Sequence, residues 1–251
     1  MMGSMSEAAG DAFLGGRLRL LQPGGGHKAG LDALMLAAAA KVEPGSRVLD
    51  AGAGCGVVGL CIAARLPDCT VTGIEIDPGL SELARANAER NGLGARYCIV
   101  TADLTAAQTG LPPNSFEVVV ANPPFYPYGS ATASTEPARA RAAIMPQGGL
   151  ERWARFMTGM AAANGTVTVV YPASALNFVL AVLDGRLGAI SVFPLFPRVG
   201  EPAHRIIVSG IKGSRAPLRL CPGLVLHEAD NTFTSAADAI LRHGAALDIG
   251  N

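Results

Sequence analysis

The chain has 251 residues, of which 49% are hydrophobic and 16% are charged. This composition allows one or two domains with a large buried core and excludes a disordered chain. The 20 Lys and Arg residues are balanced by 20 Asp and Glu residues. The chain is therefore not a protein that binds nucleic acid through a strong overall positive charge, and only a local basic face would serve that purpose.

The sequence lacks the usual signals for a membrane or an oxidising compartment. It carries no run of about 18 apolar residues, and its start has no basic region followed by an apolar stretch. Its five cysteines form no Cys-x-x-Cys pair and no histidine cluster accompanies them. This pattern favours buried free thiols over a metal site or a disulfide framework. We expect a cytoplasmic protein.

In chain order, the first predicted segment is a loose tail over residues 1–16. A short extended segment (RLRLLQP), a glycine-rich turn and an Ala/Leu-rich helix then fill residues 17–41. Strands are predicted at residues 47–50, 70–75, 97–101, 116–121, 166–171, 190–194 and 205–211. Helices are predicted at residues 57–65, 79–91, 150–163, 173–183 and 235–243. Residues 17–251 are expected to form one domain that ends in a short C-terminal tail.

The alternation of strands and helices indicates a parallel sheet covered on both faces. Residues 195–204, between the last two strands, are too short for a crossover helix, so those two strands should be antiparallel neighbours. The predicted fold is an α/β, Rossmann-like, doubly wound sheet of seven mostly parallel strands with one antiparallel strand.

A glycine-rich loop follows the first of these strands in the stretch VLDAGAGCGVVGL, residues 48–60. Glycines there allow a tight turn and a close approach of the backbone to a ligand beyond the strand ends. Gly54, Gly56 and Gly59 also satisfy the dinucleotide pattern G-x-G-x-x-G. Asp50, however, would repel a pyrophosphate and suits the cationic ammonium group of S-adenosylmethionine.

Two further acids lie at the ends of the next two strands, Glu75 as the last residue of one and Asp103 just after the other. Glu75 could accept hydrogen bonds from both ribose hydroxyls, although NAD sites also use an acid there. Asp103 could receive the adenine amino group or simply cap a helix, and Ile76 could pack against the adenine ring. Asp77, before a proline, is interpreted as a helix cap. The predicted cofactor contacts in this region are Asp50, Ala51, Gly52, Gly54, Gly56, Glu75, Ile76, Asp103 and Leu104.

The stretch FEVVVANPPF, residues 116–125, places a rigid turn at the end of the fourth strand. An amino group on adenine is a poor nucleophile because its lone pair is delocalised into the ring. The Asn122 side-chain oxygen and the Pro123 carbonyl could accept its two hydrogens, and Phe125 could stack on the base. We predict Asn122, Pro123, Pro124 and Phe125 as catalytic residues, with Asn122 also close to the cofactor. A sulfonium methyl donor requires no metal.

Together with these motifs, three further segments resemble those of one family. They are HKAGLDALMLAA, which begins at residue 27, PARARAAI at residues 137–144 and EPAHRIIV at residues 201–208. With them, residues 17–245 resemble the bacterial tRNA adenine-N6 methyltransferases that act on adenine 37 of a valine tRNA, a family of class I S-adenosylmethionine-dependent enzymes.

The resemblance implies a methyltransferase fold, S-adenosylmethionine as cofactor and a tRNA partner. It also implies that Lys28 and Asp32 frame the methionine end of the cofactor and that Arg139 and Arg141 lie near the RNA. By themselves, Lys28 could be a surface charge and Asp32 a helix cap.

The sequence by itself also leaves other functions open. This chain has NPPF where many relatives have NPPY, and such motifs also occur in enzymes that methylate protein glutamines or ribosomal RNA bases. A nicotinamide-dependent oxidoreductase would explain the glycines but neither the NPPF turn nor Asp50. A non-catalytic RNA-binding module would give no reason for a complete cofactor pocket.

Overall fold

The structure is a computed structural model that describes residues 10–23, 30–127, 144–145 and 148–250. Lys28, Arg139 and Arg141 lie outside the described residues. The helices are α1 Leu31–Ala39, α2 Val57–Arg65, α3 Pro78–Arg90, α4 Gly149–Met160, α5 Leu176–Leu183 and α6 Ser235–His243. Two short 3-10 turns lie at Leu14–Gly16 and Ala173–Ala175.

The strands alternate with these helices along most of the chain, as the sequence predicts. They are β1 Asp11–Phe13, β2 Leu18–Leu20, β3 Arg47–Ala51, β4 Thr70–Glu75, β5 Tyr97–Thr101, β6 Phe116–Ala121, β7 Tyr126–Pro127, β8 Ile144–Met145, β9 Ala161–Pro172, β10 Leu187–Phe196, β11 Arg205–Lys212, β12 Arg219–Leu220 and β13 Leu224–Val225. The predicted bounds of β4, β5, β6, α2 and α6 are confirmed residue for residue.

One large sheet organises the described chain, with strand order β5-β4-β3-β6-β9-β11-β10-β12. The strands β5, β4, β3, β6 and β9 run parallel to one another. Strand β11 lies antiparallel between β9 and β10, so the predicted antiparallel strand is confirmed. Two short strands that the sequence did not predict, β12 and β13, pair with β10 and extend the seven predicted strands to nine.

The end of α4 differs from the sequence prediction, which extended this helix to residue 163. The helix stops at Met160, and Ala161 already pairs with Phe116 in the sheet. Asn164 has a positive φ of 61°, a conformation that asparagine tolerates better than most residues and that a helix cannot contain. Sheet pairing thus outweighs the helix propensity of the three alanines at 161–163.

The predicted tail at residues 1–16 is wrong in its last part. Strand β1 pairs antiparallel with β2 and forms a hairpin. Phe13 and Leu14 are 6% and 2% exposed and belong to the hydrophobic core. Residues 11–16 are therefore part of the folded domain.

The core occupies both faces of the sheet, because neighbouring residues on the central strands point in opposite directions. On β3, Val48 contributes to the cluster beneath α1, α2 and the hairpin, whereas Leu49 contributes to the cluster beneath α4 and α5. The five cysteines are free, although only Cys55, Cys61 and Cys69 are buried. No helix within the described residues is long and apolar enough to cross a membrane.

Candidate active site

Three strand ends meet in register at one edge of the sheet. Ala51 of β3 pairs with Ile74 of β4 and with Ala121 of β6. The glycine loop, Glu75 and Asn122 therefore start side by side at the carboxyl ends of adjacent parallel strands. Ligands bind at this edge in open α/β sheets, so the sequence motifs converge on one candidate site.

The glycine loop turns through backbone conformations that glycine adopts without steric cost. Gly52, Gly54 and Gly56 have φ values of 71°, 56° and 89°, and Gly56 immediately precedes α2. Among the described residues, no atom comes within 4 Å of the position that a Cβ on Gly54 would occupy. The loop therefore presents open space on this side.

The carboxylate of Asp50 already has a partner within the protein. Asp50 is 1% exposed, and its Oδ2 accepts the backbone N–H of Gly59 in α2 at 2.8 Å. Burial raises the pKa of Asp50 to about 7, the Gly59 hydrogen bond opposes this rise, and the charge of Glu75 adds to it. Asp50 thus fixes the start of α2 to β3, a role that the sequence analysis did not anticipate.

Glu75 connects the glycine loop to the turn before α3. Its Oε2 accepts the N–H of Gly54 at 2.8 Å and its Oε1 accepts the N–H of Asp77 at 3.0 Å. A carboxylate offers about four acceptor positions, so further hydrogen bonds remain possible. The neighbouring Ile76 is 63% exposed, an unusual position for a large apolar side chain. Asp77 caps α3 as predicted, accepting the N–H groups of Gly79 and Leu80.

The end of the neighbouring strand β5 carries a weaker candidate. Asp103 is exposed, and its Oδ1 accepts both the N–H and the hydroxyl of Thr105 at 2.7 Å. It therefore caps a turn, and no helix begins in the described residues that follow it up to β6. Leu104 and Ala51 are buried in the core. These two residues can offer a ligand little more than their backbone.

The turn that follows β6 contains an unsatisfied acceptor. The Asn122 Oδ1 atom is buried and accepts no hydrogen bond from any residue that the structure describes. Leaving a buried polar atom without a partner costs about 1–3 kcal/mol. An amino group bound at the turn would supply the missing donor.

Phe125 is fixed by two residues that the sequence analysis did not select. Its ring packs edge to face with Tyr171 at the end of β9, with centroids 5.7 Å apart. The guanidinium of Arg205 lies over the ring, with Cζ 5.0 Å from the centroid. The Tyr171 hydroxyl donates to the Pro124 carbonyl at 3.4 Å. Tyr171 could have been found from its place at the end of a predicted strand.

Asp32, assigned by resemblance to the methionine end of the cofactor, forms an ion pair with Arg205. The Arg205 Nε donates to Asp32 Oδ2 at 2.9 Å, and both side chains are partly buried. The N-terminus of α1 is thereby connected to Phe125 through one guanidinium. Arg205 lies within the segment EPAHRIIV, whose resemblance to the family was noted without assigning a role to this residue.

Trp153 of α4 also borders the site. A Cβ on Gly52 would overlap the indole ring, so the ring rests directly on the glycine backbone. Trp153 is the single tryptophan of the chain. Its fluorescence is therefore a local reporter for events at the glycine loop.

Comparison with known proteins agrees with this geometry. Residues 29–151 match the family model of the methyltransferase small domain. The chain is 30% identical over 215 residues to the tRNA1(Val) (adenine(37)-N6)-methyltransferase of Aeromonas hydrophila, covering 82% of this chain and 85% of the relative. The chain belongs to this family of methyltransferases. In this chain, the glycine loop and the NPPF turn meet at the same edge of the sheet.

Solved structures support the same fold. A protein of Agrobacterium tumefaciens, described as a predicted O-methyltransferase, is similar with a TM-score of 0.73 and 29% identity, covering 86% of this chain and 98% of that protein. The geranyl diphosphate C-methyltransferase of Streptomyces coelicolor, solved with S-adenosyl-L-homocysteine, has a TM-score of 0.50 at 10% identity and covers 71% of this chain and 73% of its own. The second likeness shows the fold alone.

Proposed function

We propose that this protein transfers the methyl group of S-adenosylmethionine to the exocyclic N6 of an adenine in tRNA. Membership of the methyltransferase family supports the reaction class, and the name of the Aeromonas relative supports the acceptor. The observation that carries the proposal is the buried, unpaired Oδ1 of Asn122. An acceptor in that position matches an incoming amino group.

The residues around the glycine loop fit the cofactor. Open space above Gly54 and the exposed side chain of Ile76 provide room and an apolar surface for an adenosyl group. Glu75 has acceptor positions left for the ribose hydroxyls. Asp50, buried beneath the loop with its pKa raised to about 7, would attract the ammonium group in its ionised form. When bound, S-adenosylmethionine supplies a methyl group already activated on a sulfonium.

At the remaining contacts, we propose that the backbone at Ala51, Gly52, Gly56 and Leu104 lines the cofactor and that Asp103 receives the adenine amino group. Lys28 is proposed to act at the methionine end, as the resemblance implies. Asp32 would act there through its ion pair with Arg205. Replacement of the Lys28 or Asp103 side chain should change the cofactor dissociation constant rather than the rate of transfer.

The NPPF turn accounts for the activation of a nitrogen. The Asn122 Oδ1 and the Pro123 carbonyl would accept the two amino hydrogens and direct the nitrogen lone pair toward the methyl group. The adenine nitrogen would accept the methyl group while the sulfonium of the donor becomes a neutral thioether, and the methylated nitrogen would then release one proton to solvent. Because the amine becomes acidic only after attack, alignment and exclusion of water provide most of the acceleration.

Recognition of RNA is proposed for Arg139 and Arg141, which follow the NPPF turn in the sequence. Two arginines can contact phosphates without changing the overall charge balance of the chain. Phe125 is proposed to stack on the target base, with Arg205 covering part of its ring.

Product analysis tests the acceptor. The protein is incubated with methyl-labelled S-adenosylmethionine and either unmodified tRNA transcripts or a bacterial protein extract. We expect label in N6-methyladenosine after digestion of the tRNA. Label in protein glutamine, or in a methylated hydroxyl group as the Agrobacterium description would suggest, would contradict the proposal.

Asn122→Ala should separate catalysis from cofactor binding. Loss of one hydrogen bond that aligns the reacting group should reduce the single-turnover rate about 100-fold to 1000-fold. The affinity for S-adenosylmethionine, followed by Trp153 fluorescence, should stay within about twofold, since the ribose and adenine contacts lie on other strands. Asn91→Ala, at the far end of α3, is the control and should keep the native rate. If Asn122→Ala transfers the methyl group at the native single-turnover rate, Asn122 has only a structural role in the turn.

A further inference from the structure

Asn87 of α3 joins two segments that are distant in the sequence. Its side chain is fully buried. Its Nδ2 donates to the carbonyl of Cys55 in the glycine loop at 3.0 Å and to the carbonyl of Leu21 at 2.9 Å. Its Oδ1 accepts the N–H of Leu21 at 2.7 Å. One amide group therefore connects the chain just after β2 with the glycine loop.

Asn91, one turn further along α3, makes the same kind of contact without reaching the loop. Its Oδ1 accepts the N–H of Arg19 at 2.9 Å and its Nδ2 donates to the Arg19 carbonyl at 3.0 Å. Because Arg19 and Leu21 are two residues apart, their backbone groups face the same side of the extended segment. The two asparagines thus bind that segment as a neighbouring strand would, and only Asn87 adds the contact to Cys55.

The glycine loop needs such external contacts to keep one shape. Cys55 is flanked by Gly54 and Gly56, both with positive φ, and glycine has little intrinsic preference among backbone conformations. Glu75 binds the N–H of Gly54, and Asn87 binds the carbonyl of the next residue. The two side chains therefore hold backbone groups of two neighbouring loop residues, Gly54 and Cys55, from different elements.

We propose that Asn87 is a positioning residue for the cofactor, which sets the backbone of the glycine loop and is itself oriented by the backbone of Leu21. The N-terminal hairpin leads directly into Leu21. Through Asn87, it thereby contributes to the affinity of the protein for the cofactor. The inference rests on the proposed binding of S-adenosylmethionine at this loop.

The test compares Asn87→Ala, Asn91→Ala and Leu21→Pro with the unaltered protein. Leu21→Pro removes the N–H that orients Asn87 and leaves the Asn87 side chain and the Leu21 carbonyl in place. For each, the dissociation constant of S-adenosylmethionine is measured by Trp153 fluorescence and calorimetry, and the free energy of unfolding is measured in urea.

We expect Asn87→Ala to weaken S-adenosylmethionine binding about tenfold or more, the scale of one lost buried hydrogen bond. Leu21→Pro should weaken it in the same direction by about threefold. Asn91→Ala should lower the stability of the fold and keep the native dissociation constant. If Asn87→Ala does not fold, the Leu21→Pro variant tests the proposal instead. In that variant, amide hydrogen exchange at Gly54 and Gly56 should become faster than in the unaltered protein.

The inference is overturned if Asn87→Ala and Asn91→Ala bind S-adenosylmethionine equally well. It is also overturned if Leu21→Pro binds with the native constant and native exchange at the loop. If the unaltered protein itself does not bind S-adenosylmethionine, the proposed function fails as well, so the two failures are distinguishable.

Discussion

Asp50 shows how one residue can be tied to both folding and ligand binding. Its carboxyl is buried, accepts the Gly59 N–H, and has a pKa raised to about 7 chiefly by burial. A raised folded-state pKa means that the neutral form stabilises the fold. That contribution is fully present below the unfolded-state pKa of about 4 and is lost as pH rises through about 7.

Asp50→Asn should therefore change the pH dependence of stability. The amide oxygen can still accept the Gly59 N–H, and no charge is buried. Between about pH 5 and pH 7 the native protein should lose up to about 1.4 kcal/mol of unfolding free energy per pH unit relative to the variant. Urea unfolding at several pH values measures this difference, and parallel curves for the two proteins would contradict it.

The sequence identified the chemical types of the site residues but not the partners of their side chains. Asp50, Glu75 and Asn122 were recognised because each follows an apolar strand, a pattern visible in one dimension. Their hydrogen bonds to Gly59 and Gly54 depend on the exact path of the glycine loop, which spacing does not specify. The binding roles assigned to Asp50 and Glu75 stay predictions, and the Asn122→Ala variant tests the catalytic role of Asn122.

Among the elements, β11 contributes a side chain that connects two other parts of the site. Arg205 at its start bonds Asp32 of α1 and covers the Phe125 ring after β6. A planar guanidinium can do both at once, whereas an ammonium group cannot match the same geometry.

Arg205→Lys should therefore impair methyl transfer although the charge is retained. Losing the stacked guanidinium costs about 0.5–2 kcal/mol, so the single-turnover rate on tRNA should fall roughly 2-fold to 30-fold. Cofactor affinity should change less than the rate. Arg242→Lys, whose arginine pairs with Asp238 on the exposed face of α6, is the matched control. Equal rates in the two variants would show that Arg205 does not position Phe125.

The elements that the sequence predicted best are those whose apolar residues repeat with a strand or helix period and whose ends carry turn or capping residues. Strands β4, β5 and β6 are bounded by turn residues, and α6 begins after Thr234, whose side chain caps it. Strands β12 and β13 have two residues each, which is too short for any alternation to be detected. They form because β10 offers a free edge for pairing. That edge arises from the tertiary structure, so the local sequence does not reveal it.

At the scale of the whole molecule, the alternation of strands and helices and the short connection at residues 195–204 made the doubly wound sheet predictable. The N-terminal hairpin was not, because its apolar residues are few and its contacts are distant. Leu14 lies in a 3-10 turn that contacts α6 at the other end of the chain, and Arg17 donates to the His243 carbonyl at 3.0 Å.

Deletion of residues 1–16 should therefore destabilise the protein instead of trimming a loose tail. Phe13 and Leu14 are almost fully buried, and burial of each contributes about 1.5–3 kcal/mol, so the unfolding free energy should fall by roughly 3–6 kcal/mol. Leu14→Ala alone should produce about 2–5 kcal/mol of this loss. Urea unfolding of the three proteins provides the measurement. If the deletion left the unfolding free energy unchanged, strand β1 and the turn at Leu14–Gly16 would be dispensable for folding.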